Sequence, residues 1–243
     1  MQSDKIKRIS LWSGPRNIST ALMYSFAQRN DTKVFDEPLY AYYLSNSRAK
    51  AYHPGADVIL KTMENDGERV VEMMLNYSEK SIVFFKNMTH HILGLDRSFM
   101  KQIINVILTR DPKEMLPSFA KVIDNPTMSD VGYKLHLDLI NYFDLYDIDY
   151  VVLDAKKVLL NPEGVLRQFC KIIDIPFDIN MLQWSPQQRE EDGVWAKYWY
   201  ANVHKSSGFS RYKPKNEPFP EYLIPLLNEC QPYYNQLQKL ALT

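Results

Sequence analysis

Short runs of β-branched and other apolar residues alternate along the chain with longer stretches whose apolar positions recur at helical spacing. The short runs predict strands over Ile6 to Leu11, Lys33 to Phe35, Ile82 to Phe85, Asn105 to Leu108 and Asp149 to Leu153. The last three are almost continuously hydrophobic, which suits strands covered on both faces. Helical spacing marks Ser19 to Gln28, Gly67 to Tyr77 and Asp130 to Tyr146. Asn161-Pro162-Glu163 is a helix start, with an asparagine N-cap and a proline in the first turn, ahead of Val165 to Ile172. Glu221 to Leu240 is also predicted helical, with Pro225 and Pro232 expected to break or kink it. Strand and helix in alternation build parallel βαβ units. The expected fold is therefore α/β, a three-layer sandwich with a central, mainly parallel sheet of about five strands flanked by helices.

Composition narrows the picture. A chain of 243 residues has room for one large α/β domain, expected here over residues 1–243. From Pro176 to Pro220 the pattern dissolves into prolines, charges and aromatics, which predicts an ordered but irregular lid or substrate region. Lysine plus arginine number 29 and aspartate plus glutamate 29. No bulk field favours nucleic acid or an anionic membrane, so any positive site has to be local. Cys170 and Cys230 sit in helix-like stretches and are expected as reduced core residues. The opening MQSDKIKRIS has no apolar run behind it, and nothing later is long enough for a membrane helix. The expectation is a soluble, cytoplasmic-type protein, with oligomeric state left open.

The chemistry begins after the first strand. KIKRISLW runs into Ser13-Gly14-Pro15-Arg16-Asn17-Ile18-Ser19-Thr20 and then into ALMYSFAQ. A turn feeding a helix start aims unpaired backbone N–H groups at one spot, where the helix dipole also favours an anion. Arg16 adds a charge-assisted donor, and Ser19 and Thr20 add hydroxyls. The loop lacks the G-x-x-x-x-G-K-[ST] pattern, which counts against an NTPase. Alone it is equally an ordinary helix start with a solvated arginine. A second element follows the strand INVILT, reading Arg110-Asp111-Pro112 with Ser118 further on. Asp111 and Pro112 fit an N-cap and first helical residue, placing Arg110 at the carboxyl edge of the sheet, where ligands of open α/β folds bind.

Together these two segments resemble the sulfotransferase family. Its members pair a P-loop-like 5′-phosphosulfate loop with an R-D-P-x-x-x-x-x-S element that holds the 3′-phosphate of the donor PAPS (3′-phosphoadenosine 5′-phosphosulfate). The second element is complete here as Arg110, Asp111, Pro112 and Ser118. In the first, Arg16, Ser19 and Thr20 match while Asn17 and Ile18 depart, and Ile18 replaces a glycine free to take positive φ. The resemblance implies PAPS as donor and PAP as product, bound by Arg16, Asn17, Ile18, Ser19, Thr20, Arg110 and Ser118. It also implies that Lys205, Ser206, Ser207 and Gly208, in the late polar patch, close over the 3′-phosphate.

The resemblance suggests roles for three further residues. Glu37, after the second strand, looks like the family's catalytic glutamate. Lys86 and His90, after SIVFF, look like its lysine-plus-histidine segment, with Lys86 on the leaving oxygen and His90 an alternative base. His90 and His91 are not expected to face one pocket from a single short turn. Trp195, Tyr198, Trp199 and Tyr200 are core or line an acceptor or adenine pocket. No metal-ligand spacing is present. Sulfuryl transfer to a hydroxyl or amine is the leading function. A kinase or NTPase using Mg-ATP, and a non-catalytic PAP-binding protein, are the alternatives.

Overall fold

The computed structural model describes residues 6–214 and 217–243. Five strands are formed by β1 (Lys7–Ser13), β2 (Thr32–Asp36), β3 (Ile82–Met88), β4 (Ile104–Thr109) and β5 (Tyr150–Asp154). They pair in the order β2-β3-β1-β4-β5, every neighbour parallel. The first half of the chain carries the helices α1 (Ser19–Ala27), α2 (Tyr40–Ser45), α3 (Ala56–Thr62), α4 (Gly67–Asn76) and α5 (Pro112–Phe119). Then come α6 (Met128–Val131), α7 (Tyr133–Leu145), α8 (Ala155–Leu160), α9 (Pro162–Ile172), α10 (Ala196–Trp199) and α11 (Ile224–Leu240).

Strand alternation divides the apolar side chains between the two faces of the sheet. Trp12, Phe85, Ile107 and Val152 enter one core with residues of α4, α5, α7 and α11. Ile9, Leu11, Phe84, Val106 and Leu153 enter the other with α1 and α9. The expected three-layer α/β sandwich is thus present. A third cluster, including Tyr40, Tyr43, Ile59, Trp195 and Tyr200, joins α2 and α3 to the late segment.

Capping follows the sequence. Asp111 accepts the Lys113 N–H at 2.8 Å at the start of α5, and Asn161 accepts that of Gly164 at 3.0 Å at the start of α9. Pro225 stands in the first turn of α11, which begins after the separate 3-10 turn Glu221–Leu223, whereas Pro117 and Pro232 lie inside helices that continue past them. The carbonyls these last two prolines leave unbonded, four residues back, belong to Lys113 and Asn228, both exposed, so water can satisfy them. The run expected over Asp130 to Tyr146 is divided by Gly132, whose φ of 78° ends α6 and starts α7. Cys170 and Cys230 are buried free thiols. Among the described residues no helix is long and apolar enough to cross a membrane.

The order β2-β3-β1-β4-β5 sends the chain to one side of β1 first and to the other afterwards. A crevice opens at the carboxyl ends of such strands. Those ends deliver the Gly14 loop, Glu37, Lys86 and Arg110 to one place.

Candidate active site

A cleft of about 790 Å³ lies over that edge of the sheet. On one side the chain leaves β1 and enters α1 with Ile18 at the N-cap, and no side chain caps the first-turn amides. Those N–H groups are available to an anion. Ile18 keeps φ at −88°, so the expected problem of a missing glycine does not arise there. Arg16 bends the loop instead, with φ 53°. A non-glycine residue held in this region costs about 1 to 3 kcal/mol and persists only where neighbours fix it. Arg110 supplies that support, donating from Nη1 to the Arg16 carbonyl at 3.0 Å. Arg16 in turn donates from Nε to Ser118 Oγ at 3.1 Å and from Nη1 to the Trp199 carbonyl at 3.2 Å. The Asn17 amide donates to Ser13 Oγ at 3.2 Å and to the Leu108 carbonyl at 3.0 Å, tying the loop to β4.

Arg16, Asn17, Ile18, Ser19, Thr20, Arg110 and Ser118 therefore meet in one wall. Arg110 does not pair with Asp111. Among the described residues its nearest carboxylate is Glu114, 3.4 Å from Nη2, and its buried Nε has no hydrogen-bond partner. Burial and the neighbouring Arg110 charge lower the Arg16 pKa. An anion between the two guanidiniums would relieve that repulsion and meet the unpartnered Nε.

The second wall centres on Lys86. The register places Leu11 and Asp36 on either side of it, and it is 1% exposed. A buried ammonium survives only when fully paired. Lys86 Nζ donates to Asp36 Oδ1 at 2.8 Å, to Glu37 Oε1 in a very short contact, and to Tyr200 Oη at 2.6 Å. Asp36 also accepts the Gly193 N–H at 3.0 Å. Glu37 has φ 46° and is fixed by its own N–H, which donates to the Lys86 carbonyl at 2.7 Å. Burial raises the Glu37 pKa to about 7, against the opposing pull of Lys86. A carboxylate poised near neutrality, beside a lysine and open to a cleft, has the properties of a general base.

Both His90 and His91 line the cleft, contrary to the sequence expectation. The residues Thr89–Ile92 form a tight 3-10 turn at the end of β3, and the two rings stand nearly perpendicular, 88° apart at 4.7 Å. The cleft wraps around the turn and reaches both. His91 stacks on Tyr40 and Tyr43 at 4.7 and 4.8 Å. Burial lowers His90 to about 3 and His91 well below its usual value, so both are neutral.

The late segment contributes differently from the sequence expectation. Ser206 and Gly208 line the cleft, but Lys205 and Ser207 do not. Val203–Lys205 is a short 3-10 turn that leaves Lys205 exposed. The Ser207 carbonyl accepts the Trp184 N–H at 3.2 Å, locking that stretch against residue 184. Ser206 Oγ accepts from Trp184 Nε1 at 3.1 Å. The basic residues lining this side are Arg211 and Lys213, which sequence reasoning did not select. Trp195, Trp199 and Tyr200 line the cleft and Tyr198 does not. Asp36 is the second carboxylate on Lys86.

The family model for the sulfotransferase domain matches residues 7–241. Two Arabidopsis thaliana proteins, named branched-chain-amino-acid aminotransferase-like protein 2 and protein 1, are 38% and 39% identical to it over 234 and 235 residues. Each match covers 95% of this chain and 41% of the relative. The chain thus spans about two-fifths of the length of those curated relatives, and the aminotransferase wording belongs to the longer proteins. Among solved structures, the sulfotransferase domain from the Synechococcus PCC 7002 olefin synthase aligns with a TM-score of 0.60 at 14% identity, covering 93% of this chain and 95% of its own. The sulfotransferase domain from the curacin biosynthetic pathway gives 0.56 at 15% identity, with 96% and 98% covered. A sulfotransferase from Alicyclobacillus acidocaldarius gives 0.56 at 10% identity, with 96% and 95% covered. At these identities the structural likeness concerns the fold alone, and it agrees with the parallel sheet described above. With the family match spanning nearly its whole length, the chain belongs to the sulfotransferase family.

Proposed function

We propose that this protein is a PAPS-dependent sulfotransferase, moving a sulfuryl group to a hydroxyl or amine of a small-molecule acceptor. The observation that carries the reading is the shared cleft. The buried Lys86–Glu37 pair and the Arg16–Arg110 anion wall open onto the same space.

The first-turn amides of α1 with Arg16, Ser19 and Thr20 would hold the 5′-phosphosulfate of the donor. Arg110 and Ser118 would hold the 3′-phosphate, with Arg211 and Lys213 adding charge. Glu37 takes the proton from the acceptor hydroxyl as its oxygen bonds to sulfur. The bond from sulfur to the bridging oxygen breaks, and that oxygen keeps the electron pair, which Lys86 stabilises. Geometry and fixed charge supply most of the acceleration, as in phosphoryl transfer. His90, neutral and lining the same cleft, orients the acceptor. Residues 176–220 act as the lid of a single domain. Two buried free thiols fit a reducing, cytoplasmic setting.

The Mg-ATP reading has less support, since no lysine follows the phosphate loop. A non-catalytic role would leave the paired Lys86 and the elevated Glu37 without purpose. The test is transfer of labelled sulfate from PAPS to a panel of alcohols and amines. Acceptor-dependent product that Glu37→Gln abolishes supports the reading, whereas turnover of ATP in place of PAPS contradicts it.

A further inference from the structure

The cleft is polarised. Arg16, Arg110, Arg211 and Lys213 lie along one side. Tyr212, between the last two, donates to Glu114 Oε1 at 2.5 Å, while Arg110 approaches the other oxygen of Glu114 at 3.4 Å, so these basic residues gather around one spot. The lining also includes Glu37, Tyr40, His53, His90, Asp130 and Trp195, of which Tyr40 bonds His53 through Oη and Nδ1 at 2.7 Å and packs on Trp195. Lys86 is already engaged by Asp36 and Glu37. The imidazoles add no charge, because burial lowers His53 to about 4 and His90 to about 3.

Asp130 is the unbalanced charge there. Its Oδ2 accepts from the Thr127 N–H and hydroxyl at 2.7 and 2.6 Å, completing the cap of α6. Its Oδ1 accepts a single 3.2 Å bond from the Tyr52 hydroxyl, and among the described residues no salt bridge reaches it. A separate observation points to a ligand here. His90 is 8% exposed, lines the cleft, and its Nδ1 has no hydrogen-bond partner. A neutral imidazole in that state matches a hydroxyl.

We propose that the acceptor is an alcohol carrying a cationic group, its hydroxyl presented to Glu37 and His90 and its ammonium set against Asp130 in the part of the cleft that the packed rings of Tyr40 and Trp195 line. This rests on the sulfuryl-transfer reading above. A cation gains from the carboxylate and from aromatic ring faces. An acid of similar size meets Glu37 and Asp130 with no free counter-charge. The protonated nitrogen has no lone pair to attack sulfur, so the hydroxyl is the nucleophile and the nitrogen the handle.

The test is calorimetry on the protein loaded with PAP. It is titrated with (2-hydroxyethyl)trimethylammonium, with the neutral isostere in which tert-butyl replaces the ammonium, and with a hydroxy acid of similar length. The ammonium alcohol is expected to bind about tenfold tighter than the neutral isostere, with the acid weakest. Asp130→Asn should bring the ammonium alcohol down to the level of the isostere and leave PAP affinity unchanged. Equal or tighter binding of the neutral alcohol, no binding of the ammonium alcohol, or an undiminished preference in Asp130→Asn overturns the proposal. If that variant does not fold, the comparison of the two alcohols on the unaltered protein decides. Failure to bind PAP counts against the transfer reading itself, whereas PAP binding without an ammonium preference counts against the acceptor alone.

Discussion

The Tyr200 hydroxyl lies 2.9 and 2.8 Å from the two carboxylate oxygens of Asp36, to which it donates, while accepting from Lys86 Nζ at 2.6 Å. Trp195 Nε1 reaches the same oxygen at 3.2 Å. Tyr200 comes from the late segment and Asp36 from the end of β2, so this pair fastens the irregular region onto the catalytic edge of the sheet. Asp36 balances Lys86 and leaves Glu37 free to exchange its proton. Tyr200→Phe should lower kcat by about tenfold to a hundredfold, the cost of an under-satisfied buried charge pair. PAP affinity should stay within about twofold, because Tyr200 touches neither Arg16 nor Arg110 by hydrogen bond. Steady-state kinetics beside PAP calorimetry separates the two effects.

As the proposed base, Glu37 should set the pH dependence of the reaction. The base works ionised, so kcat should rise with pH through a midpoint of about 7, where burial places this carboxyl. Glu37→Gln should cost about 10²- to 10⁴-fold in kcat and flatten that limb. His90→Ala should reduce kcat less and keep the midpoint, since its imidazole is neutral throughout the range. An unchanged rate in Glu37→Gln would remove the base assignment.

Arg110 is asked to do two things, to bind an anion and to hold the Arg16 carbonyl. Arg110→Ala should therefore weaken PAP binding by about tenfold to a hundredfold. Arg110→Lys should recover only part of this, since an ammonium cannot reproduce the guanidinium fork. Calorimetric Kd values for the three proteins check the order.

Stability should also respond to pH. His53, His90, His91 and His136 are all held below their ordinary value of 6.5 by burial, His136 to about 3. The unfolded chain takes up these protons first, so stability is complete above about pH 6.5 and is lost as pH falls toward the folded values. Glu37 runs the other way: its raised pKa favours the folded state below its ordinary 4.5, and that contribution fades as pH rises through about 7. Four imidazoles outweigh one carboxyl, so the midpoint of thermal unfolding should fall between pH 7 and pH 5. Among the described residues His136 has no hydrogen-bond partner at either ring nitrogen. His136→Leu should stabilise the protein by about 1 kcal/mol, and by more at pH 5 than at pH 7.5, as denaturant titrations at the two values would show.

The sheet was legible because its strands are buried on both faces, and their runs needed no partner to be recognised. Their ends were less so. β3 continues to Met88 through Lys86 and Asn87, which read as loop, because Lys86 is paired and the Asn87 amide donates to Ser10 Oγ at 2.9 Å. Both compensations are long-range. Helices α2 and α3 escaped notice because YAYYLS is aromatic on every side and packs above the sheet. The phosphate-loop and Arg110 residues stood out because a local pattern, strand then turn then helix start, carries their meaning. Tyr200 with Asp36, and Arg211 with Lys213, depend on how residues 176–213 fold back, and no periodicity announces that path.

The proposed function depends on Arg16 and Arg110 holding the two phosphates of PAP in one site. A calorimetric titration of the purified chain with PAP, with adenosine monophosphate and ATP as competitors, examines this pair together. PAP should bind saturably, be displaced poorly by either competitor, and bind more weakly to Arg16→Ala and Arg110→Ala alike. Absence of PAP binding at millimolar concentration, or tighter binding of ATP than of PAP, would contradict it.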